Sequence, residues 1–281
     1  MSTLNLTSLS GIPLIRQGDN LADIIVHALH KTAVQLQDGD ILVIAQKIVS
    51  KAEGRMVNLE LVTPSQRALD LARTTEKDPR IVELILQESN EVLRTRPGAM
   101  IVEHKLGFVC ANAGIDHSNV SPLDNNFSSS EAPAPAEEGI AMAGSTTEIA
   151  NREEWVLLLP KNPGRSAAAI RQKLESATGA KIGLLIIDSH GRAWRNGTVG
   201  AAIGISGMPG LVDLRGQPDL FDFKLRITQV GAADELAAAA SLVMGQAAEG
   251  KPVVHVRGFP YPLREGSLEE LLRPKDQDLF R

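Results

Sequence analysis

Two short stretches concentrate the side chains that could do chemistry. The first is Asp188-Ser189-His190-Gly191-Arg192, with Arg195 and Asn196 close behind, directly after the apolar run at 182–187. A carboxylate and a hydroxyl beside cationic and amide groups place oxygen ligands and anion binders within one turn of each other, which is the chemistry of a metal-bound phosphate. The second is Asp116-His117-Ser118-Asn119, two residues past Gly114. It crowds oxygen and nitrogen donors into four positions, and an Asx-type turn that binds nothing explains it as well. Lys51 and Arg55 follow the apolar run at 41–45 and could hold phosphate, although a solvated loop with a helix cap would account for them too. Hard carboxylate and hydroxyl oxygens suit Mg²⁺ or Mn²⁺ better than zinc, and no HExxH motif is present. Neither GxGxxG nor GxxxxGK[ST] occurs, so a dinucleotide fingerprint and a P-loop both lack support. His117 and His190 stand near these carboxylates, but neither is identifiable as a general base from sequence.

The elements that must position these groups read as α/β. Residues 41–45, 182–187 and 253–256 are short apolar runs, as expected of strands buried on both faces, and the second is expected to stop at Asp188. Further strands are expected at 155–159 and 225–230, and a hairpin from 99–103 and 107–110 around His104-Lys105-Leu106. Apolar spacing predicts a helix over 22–36, capped by Asp19 or Asn20, and helices from Thr63-Pro64 to about 73 and from Asp78-Pro79 to about 93. Two more follow: one after the turn at 160–166, ending at Gly179, and an alanine-rich one over 233–246 with Asp234 and Glu235 near its start, where the macrodipole favours them. The proline in the segment 11–16 makes it an edge or a loop. Glycine is dense from 197 to 216, which implies either closely packed backbone or amides approaching a ligand.

Composition narrows the function classes. The 281 residues carry a net charge of −5 with basic residues scattered, which argues against a nucleic-acid partner and for a small molecule. Cys110 is the single cysteine, so no internal disulfide or multi-cysteine zinc site can form, and a cytoplasmic setting is expected. No apolar run approaches the ~20 residues of a membrane span, and the start MSTLNLTSLSG lacks the basic and apolar segments of a targeting signal. A polar, proline-rich stretch at about 122–150 reads as a surface insertion in an otherwise single domain over 1–281.

Several long motifs, in order, carry a family resemblance: IPLIRQGD at 12–19, DGDILVIAQKIVSKAEGR at 38–55, AGIDHSNV at 113–120, IIDSHGRAWRNGTVGAAIG at 186–204 and VGAADELAAAASLVMGQAAEGKPVVHVRG at 230–258. Together they resemble the coenzyme F420-0:L-glutamate ligases, the F420 γ-glutamyl ligases. The resemblance implies a two-part mixed α/β fold in an intertwined homodimer. It also implies a GDP-forming ligase that uses GTP and Mg²⁺ or Mn²⁺, with K⁺ as a further candidate, to add L-glutamate to coenzyme F420-0 and then to F420-1. By the same resemblance, Ile12, Pro13, Leu14 and Ile15 match a first GTP loop, Lys51 and Asn119 match GTP-binding positions, and Gln46 stands where relatives can have serine. Met244, Gly245, Gln246, Ala247, Ala248, Glu249, Gly250 and Lys251 match the last nucleotide loop. Asp116, Asp188, Ser189 and Gln246 match metal-binding positions, and Asp116, Asp188 and Arg192 are the residues expected to act in catalysis. Three readings compete: a metal-dependent phosphatase or hydrolase, a ligase for a related acceptor, and an F420 carrier. The last is disfavoured by a chain with only two tryptophans, one tyrosine and six phenylalanines.

Overall fold

The computed structural model describes residues 3–120 and 154–279, so the insertion expected at 122–150 lies outside the described residues. In chain order the elements are β1 (Asn5–Ser8), α1 (Leu21–Lys31), β2 (Ile41–Ala45), α2 (Gln46–Ala52), β3 (Met56–Asn58), α3 (Gln66–Thr75), α4 (Pro79–Gln87), β4 (Ser89–Arg96), β5 (Ala99–His104), β6 (Val109–Ala111), β7 (Trp155–Leu157), α5 (Pro163–Thr178), β8 (Gly183–Arg192), β9 (Arg195–Ser206), β10 (Val212–Asp213), β11 (Gln229–Val230), α6 (Ala232–Met244) and β12 (Val253–Arg257). The class is mixed α/β, as expected. The chain divides into two compact units, one built from residues 1–12, 20–49 and 160–281, the other from 13–19 and 50–159.

The first unit is organised on a five-stranded sheet in the order β1-β12-β2-β8-β9. Its only parallel pair is β2 with β8, in register from Ile41↔Gly183 to Ala45↔Ile187. Both strands are apolar throughout this pairing because both faces of the sheet are covered. On one face, Ile41, Val43, Leu185, Ile187, Val254 and Val256 pack with Ala233, Leu236, Ala237 and Ala240 of α6. On the other, Leu42, Ile44, Leu184 and Ile186 are fully buried. Each such side chain withdrawn from water contributes about 1.5–3 kcal/mol.

The glycines of β9 set how closely the helices approach. Ile186 pairs with Gly204 but Ile187 pairs with Ala202, so Ile203 is an extra residue and forms a bulge. Gly200 and Gly204 are four apart and would share a face of a regular strand; the bulge sends them to opposite faces. A Cβ at Gly200 would collide with the Ala237 carbonyl of α6, and one at Gly204 would lie 2.6 Å from the Pro163 backbone of α5. The first of the two sequence readings, closely packed backbone, therefore holds at these positions.

The end of the sheet where β2 begins is closed by a buried polar cluster. Asp40 is 2% exposed; its carboxylate accepts from Arg257 Nε at 2.9 Å and Nη2 at 2.7 Å, and from the Gln37 amide at 2.9 Å, while His255 Nε2 lies 2.8 Å away. Burial by itself would push the Asp40 carboxyl up, but the hydrogen bonds from Arg257 and His255 outweigh it and hold the group below the usual carboxylate range.

The second unit holds a three-stranded meander, β4-β5-β6, a two-stranded pair, β3 with β7, and helices α3 and α4. Its core includes Leu59, Leu84, Val156 and Leu158. Arg55 ties it together: Nε donates to the Leu159 carbonyl at 2.8 Å and Nη2 pairs with Glu88 at 2.6 Å.

Several boundaries differ from the sequence expectation, each for a local reason. The helix expected to reach about 93 ends at Gln87, because the chain turns at Glu88 and enters β4. The first helix stops at Lys31, with Ala33 at positive φ, so Ala33 and Leu36 lie beyond it. Asn20 occupies its cap position without a side-chain cap bond and instead donates to Asp23. Ser65, not Thr63, caps α3. Strand β8 does not stop at Asp188 but runs on to Arg192; what ends there is its burial. Residues 225–230 contribute only the two-residue β11, and the polar β1 was not expected at all.

The Asp40 cluster gives a pH prediction. A carboxyl whose folded pKa lies below its ordinary value stabilises fully above that value and loses the contribution as pH falls through the folded pKa. Asp40→Asn is expected to lower unfolding free energy by about 1.5–3 kcal/mol at pH 7, with the gap to wild type narrowing below about pH 4. Urea unfolding at pH 7 and pH 3 measures this; equal midpoints at pH 7 would contradict the assigned role.

Candidate active site

The parallel pairing of Ala45 with Ile187 places the carboxyl end of β2 beside the point where β8 leaves its apolar stretch, the edge where α/β sheets place their ligands. Gln46 follows one and Asp188 the other. The Ala45 amide donates to Pro252 O at 2.8 Å, which brings the loop between α6 and β12 to the same edge. Here Ser189 Oγ donates to Gln246 Oε1 at 2.9 Å, across 57 positions of sequence. The polar stretch after β2 is not a loop: α2 starts directly at Gln46, which is 1% exposed.

Asp188 and Ser189 are consecutive on a strand and therefore address opposite faces. Asp188 lies with His190, whose Nε2 is 3.1 Å from Oδ2, an ion-pair contact without hydrogen-bond alignment. Ser189 lies with Gln246. The Asp188 side chain is 9% exposed, whereas Ser189 and Gln246 are open to solvent. Carboxylate, hydroxyl and amide oxygens are the donor set of a hard divalent cation, which completes its shell with water and phosphate oxygens. Among the described residues no group of three or more His, Cys, Asp and Glu side chains gathers.

The loop after α6 is folded around its own glutamate. Gly245 leaves the helix at φ 76°, and a Cβ there would collide with the Glu249 side chain. Glu249 accepts the Ala247 amide at 2.8 Å, and backbone amides, its own first and then that of Ala247, hold its carboxyl below the usual range. Met244 is buried as the last helical residue, while Ala247, Ala248, Gly250 and Lys251 are exposed. Arg192 sits near the tip of the β8–β9 hairpin, its Nη2 donating to Asn196 O at 3.3 Å.

The remaining expected site residues are placed by the second unit, apart from Ile12. Asp116 is half-buried, and its backbone bridges to Leu157 with N–H···O distances of 3.0 and 2.8 Å, just ahead of the turn at 118–119. Asn119 lies in the exposed turn that follows, at φ 58°. Gly114 supplies the bend before it at φ 64°, against Leu159. Lys51 is in the last turn of α2. Of Ile12, Pro13, Leu14 and Ile15, which lie outside regular structure, Ile15 is buried and Leu14 is 64% exposed. Arg55, considered above for phosphate, has its Nε and Nη2 engaged by the Leu159 carbonyl and Glu88.

Together these features define a mixed α/β protein that presents oxygen donors and a glycine-hinged loop at the carboxyl edge of a parallel strand pair. The family profile described as F420-0:Gamma-glutamyl ligase matches residues 11–129 and 134–258, and the chain belongs to this family. It is 43% identical over 280 residues to the coenzyme F420:L-glutamate ligase of Methanothermobacter thermautotrophicus, covering 99% of both chains. It is 39% identical to the proteins of the same name from Methanocaldococcus jannaschii, over 96% of this chain and 94% of that one, and from Archaeoglobus fulgidus, over 96% and 94%.

Proposed function

We propose that this chain is a GTP-dependent ligase that joins L-glutamate to coenzyme F420-0 and then adds further γ-linked glutamates, F420-1 being the next acceptor, releasing GDP and phosphate. The observation that carries this reading is the meeting of Ser189 with Gln246 on one face of β8, with the Asp188 carboxylate on the other, in a chain matched end to end by relatives named for F420 and glutamate. A carboxylate resists attack because it is negatively charged and would have to expel oxide. In this reading an acceptor carboxylate oxygen takes the GTP γ-phosphoryl group, the bond to the GDP oxygen breaks, and an acyl phosphate results. The glutamate amine then attacks the acyl carbon, losing a proton to solvent, and phosphate leaves as the amide forms.

Asp188, Ser189 and Gln246, together with Asp116 as a matched carboxylate, are the residues assigned to Mg²⁺ or Mn²⁺, which would supply positive charge to the phosphoryl oxygens. The Met244–Lys251 loop is assigned to the nucleotide, with Gln46, Lys51, Asn119 and Ile12 to Ile15 as further contacts, and Lys51 and Arg192 add cationic charge where negative charge develops. K⁺ remains a candidate additional cation. Among the described residues no helix is long and apolar enough to cross a membrane, and the single Cys110 supports a cytoplasmic setting. We assign a homodimer on two grounds, family resemblance and the exposure of Leu220, Phe221, Phe223 and Ile227, which are 54–96% accessible. Light scattering should give twice the 30.1 kDa chain mass, and the double variant Phe221→Asp/Ile227→Asp should give the chain mass; a monomeric wild type would refute the assignment.

Mass spectrometry after incubation with F420-0, GTP, Mn²⁺ and L-glutamate tests the activity. A glutamyl mass increment that disappears with chelator, and that ATP does not support, is expected. Asp188→Asn should lower kcat about 10²- to 10³-fold at an unchanged Tm. GTP consumption without the increment would instead indicate a hydrolase.

A further inference from the structure

Helix α6 reaches the site from a distance, and its placement along the sheet is fixed by a contact at its other end. The Ile203 bulge interrupts the β8–β9 ladder, and the Ala202 amide donates to Asp234 Oδ1 at 2.9 Å. An amide has one proton to give, so this one is directed to the helix. Asp234 stands in the first turn of α6. One helical turn further on, Ala237 lies over Gly200, where only hydrogen fits, and Ser241 Cβ would be 2.8 Å from a Cβ at that position. Gly200 in turn pairs with Ser189. Beyond the helix end, Gln246 accepts from the Ser189 hydroxyl. The order Asp234, Ala237, Ser241, Gln246 thus runs in step with Ala202, Gly200 and Ser189.

Without the bulge Ala201 would stand opposite Ser189, and its methyl would face the Ala237 carbonyl where Gly200 now gives room. The helix would lift, and the loop that follows it would leave Ser189. From this alignment we propose that Asp234 is a positioning residue. By holding the bulged amide of Ala202 it sets the axial registry of α6, and so delivers the Met244–Lys251 loop and Gln246 to Ser189. The sequence explains Asp234 only as a favourable charge at a helix start; the readable signal is the pair Gly200 and Gly204, whose even spacing conflicts with their contact with two different helices. The link to catalysis rests on the ligase reading above, whereas the link to loop position does not.

Hydrogen exchange on the unliganded full chain tests the positioning, and steady-state kinetics test its consequence. In Asp234→Ala the amides of 245–251 are expected to exchange faster while those of β2 and β12 keep their protection. The concentration of Mn²⁺–GTP giving half-maximal rate should rise about 10- to 100-fold, as for other residues that orient metal ligands, with a smaller change in kcat. Asp234→Asn retains an oxygen acceptor and should restore both. Gly200→Ala lifts α6 with Asp234 intact and should loosen the same loop, which covers the case in which Asp234→Ala does not fold. Unchanged loop exchange in Asp234→Ala despite a lower Tm would reduce Asp234 to a stabilising contact and overturn the proposal, as would Asp234→Asn behaving like Asp234→Ala. A wild type that performs no GTP-driven glutamylation would refute the ligase reading and leave the exchange result to decide this one.

Discussion

The parallel pairing of β2 with β8 is the constraint on which the first unit depends. Parallel neighbours emerge at the same edge, so once Ala45 is paired with Ile187, Gln46 and Asp188 must start from adjacent points. The pairing leaves no choice about sidedness, because a slip of one residue would turn Leu185 and Ile187 away from α6 and Leu184 and Ile186 toward it. The two ends of this pair serve opposite purposes. At the amino end of β2, Asp40 and His255 are buried and form a hydrogen-bonded cluster with the partly exposed Arg257. At the carboxyl end of the pairing the full burial of β8 stops at Ile187; Asp188 is partly buried, and Ser189 and Gln246 are open to solvent.

That asymmetry explains why the site carries oxygen donors rather than a ready-made cage. Ser189 and Gln246 are brought together by tertiary packing of α6, Asp188 by the strand itself, and the loop between them closes on its own Glu249. The Asp188 and Ser189 side chains address different faces, so one donor is partly buried and rigid while the other is exposed and adjustable. A site of this kind suits ligands that bring their own oxygens, as nucleotide phosphates do.

Much of the fold is legible because the core strands carry apolar runs, complete in β2 and broken only by His255 within 253–256. Residues 41–45 were placed without error, and 253–256 within one residue, since ILVIA and VVHV have no other way to satisfy both faces. Asp78-Pro79 announces its helix through capping chemistry that the structure retains, whereas α5 begins at Pro163, inside the stretch expected to be a turn, with Asn162 as its cap. Elements stabilised by partners rather than by their own pattern were not legible. β1 is Asn5-Leu-Thr-Ser8, an edge strand held by β12, and β4 follows α4 with only Val92 and Leu93 to mark it. For the same reason the sequence showed Asp188 and Ser189 as neighbours but not their opposite faces, and showed Gln246 at a helix end but not its partner 57 residues earlier. The bulge at Ile203 has no compositional signature; only the conflict between Gly200 and Gly204 betrays it.

The proposed function depends on a divalent-cation site for a nucleotide at Asp188 and Ser189, where β8 runs past the end of β2. Electron paramagnetic resonance of Mn²⁺, titrated against wild type and an Asp188→Asn/Ser189→Ala double variant with GTP present, tests it most directly. Wild type is expected to deplete the free Mn²⁺ signal beyond what GTP alone does, and the folded double variant is not. Equal depletion by both proteins would contradict it.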